Sequence, residues 1–178
     1  NIIETEIAIK LVKDTFERSL AQALNLTRVS APLFVRPETG LNDDLNGVER
    51  PVEFDVPDIQ AQVQVVHSLA KWKRMALGRY GFAPGTGLYT DMDAIRRDES
   101  LDNLHSIYVD QWDWERVITR EERCMETLYT AAGSILDALR ETQKTVCDAF
   151  SALERFLPQE PVFLTTQELE DAYPELTP

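Results

Sequence analysis

The stretch His105-Ser106-Ile107-Tyr108-Val109-Asp110-Gln111-Trp112-Asp113-Trp114-Glu115 decides the fold, because as a strand it sorts into two unlike faces. Alternation at period two places Tyr108, Trp112 and Trp114 on one side and Gln111, Asp113 and Glu115 on the other. The second side is a row of acceptor groups backed by aromatic packing, a wall suited to a small ligand that carries an ammonium. Spacing leaves another reading equally open: a half-buried strand whose polar side meets water, as antiparallel sheets often present.

Working outward, Leu88 to Ile95 reads as the first arm of a hairpin, with its tip around Arg96 to Asn103 and the two-faced strand as its return. Before it, Ser68 can cap a helix that carries Leu69, Trp72 and Ala76 and stops near Gly78; Gly81, Pro84, Gly85 and Gly87 then mark a loop. Val52, Phe54 and Val56 alternate, as do Ala61, Val63 and Val65, giving two further strands. Gly40 to Gly47 is turn-rich, with Asp44 a turn former beside Asp43. Ile9, Val12, Phe16, Leu20 and Ala23 recur at helical spacing, so an amphipathic helix is expected from near Thr5 to Leu24. An extended Thr27 to Val35 follows, in which Pro32 demands an edge or a break.

Beyond the hairpin, Thr119-Arg120-Glu121-Glu122 has the capping-box form, and helical spacing from Met125 to Leu153 predicts a long helix or a helix pair to about Phe156, with Pro158 as the stop. Val162-Phe163-Leu164 reads as a short strand leading into a second box, Thr165 to Glu168, and a brief helix before Pro174. No repeat, low-complexity tract or linker interrupts this order. The expected class is α+β, an antiparallel sheet flanked by helices, with residues 1–178 forming part of a single domain.

The net charge of −13 argues against broad contact with a nucleic-acid backbone. Cations nevertheless gather at Lys71, Lys73, Arg74, Arg79, Arg96 and Arg97, where a compact anion such as a nucleotide phosphate could be held; for Lys71 to Arg79 alone, a solvated face is the simpler account. Cys124 and Cys147 lie in helical sequence and read as core thiols, not a disulfide pair, and neither His67 nor His105 sits in a zinc-like spacing. No protein-bound transition metal is expected. The start, Asn1 to Glu6, lacks the basic and apolar regions of a secretory signal and no apolar run is long enough to span a bilayer, so a cytoplasmic location is expected.

Four segments together resemble the ammonia-dependent asparagine synthetases, the aspartate-ammonia ligases, relatives of the class II aminoacyl-tRNA synthetases. They are Gly40 to Gly47, His67-Ser68-Leu69-Ala70-Lys71-Trp72-Lys73-Arg74, Gly87-Leu88-Tyr89-Thr90-Asp91-Met92, and His105 to Arg116. The resemblance runs from about Ile9 to Tyr173 and implies a class II catalytic-domain-like fold, incomplete in this chain. It implies ATP with Mg²⁺ as the substrate complex, L-aspartate and ammonia as the other substrates, a β-aspartyl-adenylate intermediate, and asparagine, AMP and pyrophosphate as products.

On that resemblance Arg96 bridges the α-phosphate and the substrate carboxylate, a double contact that suits a planar fork of donors, and Glu99 meets the adenine amino group. Ser68 and Lys73 lie at the aspartate end, Gln111 and Asp113 hold the amino acid, and Asp43 stands near the incoming ammonia, where a carboxylate can orient or deprotonate ammonium. Glu115 is expected to partner an arginine, and Trp72, Trp112 and Trp114 to be core residues. Arg97 departs from the family, which often has proline there.

The first helix and the Pro32 strand resemble the motif found at a two-fold interface, which implies a homodimer. The resemblance stops about halfway through the family's fold, so the 178 residues alone are expected not to catalyse. A catalytically silent module that binds aspartate or asparagine is the alternative; a tRNA synthetase fits poorly with the acidic charge.

Overall fold

The computed structural model describes residues 1–43, 45 and 47–176, and the chain falls into two compact units, Glu17–Cys124 and Asn1–Phe16 with Met125–Pro178. The turn-forming role expected of Asp44 lies outside the described residues.

In the first unit, the hairpin is β5 (Gly87–Ile95) against β6 (Tyr108–Arg116), antiparallel in register from Gly87 opposite Arg116 to Ile95 opposite Tyr108. The amide of Arg96 donates to the Ile107 carbonyl at 2.7 Å and carries the pairing one step beyond the strands. His105 to Ile107 therefore belong to the approach to β6, not to the strand proper.

A short β1 (Leu26–Arg28) lies beside β5 in parallel, so this three-stranded sheet is mixed. A second sheet has the order β2-β4-β3, built from β2 (Phe34–Val35), β3 (Glu53–Val56) and β4 (Ala61–Val65), all antiparallel. The α+β class is as expected, with the antiparallel strands divided between two sheets. Pro32 accounts for the division: it supplies no donor and separates β1 from β2, which join different sheets.

The helix α2 (Ala70–Tyr80) passes the stop expected at Gly78 by two residues before Gly81 closes it, with φ +74° and its amide donating to the Gly78 and Leu77 carbonyls. Gly78 is helical and open to space, so nothing there requires a break, whereas the left-handed backbone at Gly81 is one that side chains with a Cβ resist.

The core of this unit lies between α2 and the inner face of the hairpin. Leu69, Trp72, Ala76 and Leu77 pack with Leu88, Met92 and Ala94, and with Val35 and Val66 from the second sheet and its exit. Because paired residues share a face, Leu88, Thr90, Met92 and Ala94 lie on the same side as Glu115, Asp113, Gln111 and Val109. The polar row therefore borders the core and does not simply meet water. Trp72 is buried, while Trp112 and Trp114 on the opposite face are half-buried. The tyrosines of that outer face use their hydroxyls: Tyr89 donates to Glu17 at 2.8 Å and Tyr108 to Asp93 at 2.7 Å.

The helix α1 spans Ile2–Leu24, starting earlier than its apolar periodicity predicts because the Asn1 side chain accepts from the Glu4 amide. In the second unit, α3 (Met125–Ala149) is one helix that ends nine residues before Pro158. The Thr119–Glu122 box forms, with both reciprocal hydrogen bonds, yet it closes a turn and not the helix start. Cys124, just ahead of α3, is exposed and Cys147 is half-buried, so Cys124 is not the core thiol expected. Val162 to Leu164 is irregular: no strand among the described residues pairs with it, and Phe163 instead packs its ring 4.3 Å from that of Tyr129. The second capping box does begin a helix, α4 (Thr166–Ala172), with Thr165 and Glu168 bonded in both directions.

Candidate functional site

Lys73 projects from α2 beneath the polar row of β6 and is 4 % exposed. Its ammonium donates to the Asp113 carboxylate and, at 3.0 Å, to the Trp114 carbonyl, with Glu115 at 3.5 Å. Glu115 also approaches Arg74 at 3.5 Å, which agrees with the arginine partner expected for it. A buried ammonium is costly unless paired, and two carboxylates with a carbonyl supply that pairing. The result holds Asp113 in a fixed orientation; a lysine so engaged leaves less of its charge for a substrate carboxylate.

Ser68 lies where the chain enters α2. Its hydroxyl accepts from the Ala70 amide at 3.1 Å, although Leu69 is the residue in the capping position. Asn42 fixes the facing loop: its side-chain oxygen accepts from the amides of His67 at 2.8 Å and Asp43 at 3.0 Å, and its side-chain amide donates to the Val65 carbonyl at 3.3 Å. Asp43 is thereby held beside the start of α2, with the Lys71 ammonium 3.9 Å away. Asn42 is a positioning residue that its sequence, a turn former among turn formers, does not distinguish. His67 is buried, and neither of its ring nitrogens has a partner among the described residues.

Arg96 follows β5 with the parity of Thr90, Met92 and Ala94, so it shares a strand face with Gln111 and Asp113. Gln111 donates to the Met92 sulfur at 3.4 Å. A cavity of about 260 Å³ opens at the hairpin tip, lined by Leu45, Glu49, Arg96, Arg97, Asp98 and Glu99. Ser68, Lys73, Gln111 and Asp113 do not line that cavity. The structure brings Lys73 and Asp113 together, and Arg96 and Glu99 together, as two neighbourhoods along one hairpin. Of the residues that line the cavity, Arg96 has one guanidinium nitrogen and Glu49 one carboxylate oxygen buried without a hydrogen-bond partner among the described residues.

Two contacts tie the loop to the tip. The Arg50 amide and guanidinium both donate to Asp98, at 2.9 and 3.0 Å, and Arg97 donates to the Pro51 carbonyl at 3.2 Å. The Arg50 hydrogen bonds hold the Asp98 carboxyl well below the usual carboxylate range. Arg97 thus has a structural use at the tip. Among the described residues no group of three or more His, Cys, Asp and Glu side chains is placed to ligate a metal ion, and no helix is long and apolar enough to cross a membrane.

The family model for aspartate-ammonia ligase matches residues 3–178. The chain is 66% identical over 175 residues to the aspartate-ammonia ligase of Ruminiclostridium cellulolyticum, covering 98% of this chain and 52% of that protein. It is 54% identical over 178 residues to that of Lactobacillus johnsonii, covering 99% and 53%. The chain spans about half the length of these curated relatives. Its fold is similar to that of asparaginyl-tRNA synthetase from Pyrococcus horikoshii, solved with asparaginyl-adenylate, at a TM-score of 0.66 and 16% identity over 94% of this chain and 37% of that one. Identity at this level, sustained from one end of the chain to the other, leaves one conclusion: the chain belongs to the aspartate-ammonia ligase family.

Proposed function

We propose that this chain serves the synthesis of L-asparagine from L-aspartate, ammonia and ATP. The observation that carries the reading is the hairpin face on which Arg96, with an unpartnered guanidinium nitrogen, follows the same alternation as Gln111 and Asp113. A carboxylate is a poor electrophile. Its oxygen attacks the α-phosphorus of ATP, pyrophosphate leaves, and the mixed anhydride that results is open to ammonia, which expels AMP. Arg96 brings the two anions together and offsets charge as it builds on the phosphorus. Gln111, the Lys73-held Asp113 and Ser68 bind and orient the amino acid. Asp43 orients or deprotonates the nitrogen nucleophile, and Glu99 faces the adenine. Mg²⁺ arrives with ATP, held by phosphate oxygens and water.

A reaction that draws on ATP and aspartate suits the cytoplasm, and the apolar side chains exposed along α1, among them Ile2, Ile3 and Ile7, support assembly as a homodimer. A silent aspartate-binding module is the second reading; the cavity beside Arg96, which Ser68, Lys73, Gln111 and Asp113 do not line, offers room for a second ligand and favours the enzyme. The test is release of AMP from ATP by the intact protein. It is expected to require both aspartate and ammonia and no tRNA, and tight aspartate binding without any ATP turnover would refute it.

A further inference from the structure

We infer that Glu49 is a nucleotide-binding residue, accepting a hydrogen bond from a donor group on the nucleoside part of the ligand whose phosphate Arg96 takes. The inference rests on the nucleotide reading above. Glu49 and Arg96 line one cavity, and each side chain carries a buried polar atom without a partner among the described residues. Neither is used to satisfy the other. Leaving a charged group unsatisfied in a buried place is costly, and the two together specify a ligand with an acceptor at one point and a donor at another. A phosphate answers the guanidinium. The carboxylate repels phosphate and answers an N–H or O–H.

Glu49 is held in place, because the residues that follow it are clamped: Arg50 to Asp98 and Pro51 to Arg97. These contacts fix the backbone that carries Glu49 at the edge of the cavity. A nucleoside offers the required donor in two places, the ribose hydroxyls and an exocyclic amino group of the base. No sequence motif marks Glu49.

The experiment measures aspartate-dependent exchange of pyrophosphate into ATP by the intact protein and its Glu49→Ala variant, using ATP, 2′-deoxyATP, 3′-deoxyATP and purine riboside triphosphate, which lacks the amino group. Glu49→Ala is expected to raise KM for ATP roughly tenfold or more. For the analogue that lacks the donor Glu49 uses, unmodified protein and variant should show the same KM, and that analogue names the source. Glu49→Met, which nearly keeps the volume and removes both acceptor oxygens, carries the same comparison if Glu49→Ala does not fold. Intact exchange with an unchanged KM in the variants overturns the inference alone, as does an equal loss with all four nucleotides. Absence of exchange in the unmodified protein overturns the nucleotide reading and the inference with it.

Discussion

Arg96 and Lys73 show how differently two cations beside one hairpin are used. Lys73 is satisfied by Asp113, Glu115 and a carbonyl, whereas one nitrogen of Arg96 is buried without a partner among the described residues. Removing Lys73 strands two carboxylates at the edge of the core. Lys73→Ala is expected to destabilise the protein by roughly 3 kcal/mol, read from urea unfolding. Arg96→Ala should leave the unfolding midpoint nearly unchanged and abolish aspartate-dependent pyrophosphate exchange. Asp43→Asn should spare that exchange and slow amide formation, a split that separate assays of the two half-reactions would reveal.

At the scale of elements, the close approach of β1, β5 and β6 gives a sharp test of the hairpin. A Cβ at Gly87 would stand 2.4 Å from the Glu115 carbonyl oxygen and 2.8 Å from the Arg116 Cα, both backbone atoms that cannot swing aside. Gly87→Ala is therefore expected to cost about 2 kcal/mol, with calorimetry showing the lowered melting temperature. The hairpin itself is legible in the sequence because alternation is local: each side chain's face follows from its neighbours two positions away. The same period cannot say what covers the polar row, since Lys73 lies 40 residues from Asp113 in sequence. Capping boxes are legible as hydrogen bonds but not always as helix starts, because the Thr119 box satisfies the same groups within a turn. Val162 to Leu164 fails as a strand for want of a partner, which no local pattern reports. Glu49 carries no local signal; its environment is made by a hairpin tip 48 residues on from the neighbouring Arg50.

For the whole molecule, pH acts through groups whose ionisation differs between the folded and unfolded chain. Burial, with the hydrogen bond to Glu17, pushes the Tyr89 hydroxyl up to about 12. Folding favours its neutral form, so its contribution is present below the ordinary tyrosine value near 10 and is lost as pH rises through about 12. Difference absorbance between the unmodified protein and Tyr89→Phe should show an ionisation near that upper value; one near 10 would remove the effect. The net charge of −13 keeps polyanions away from most of the surface, so the proposed binding of ATP calls for a confined cationic site. The central claim is that aspartate is activated by transfer of the adenylyl group of ATP to its side-chain carboxylate, with loss of pyrophosphate, and the path of one oxygen tests it. Aspartate carrying ¹⁸O in its side-chain carboxylate, supplied with ATP and ammonia, should yield AMP with one labelled phosphate oxygen, seen by mass spectrometry. Label found in inorganic phosphate instead, with ADP as the nucleotide product, would contradict the account.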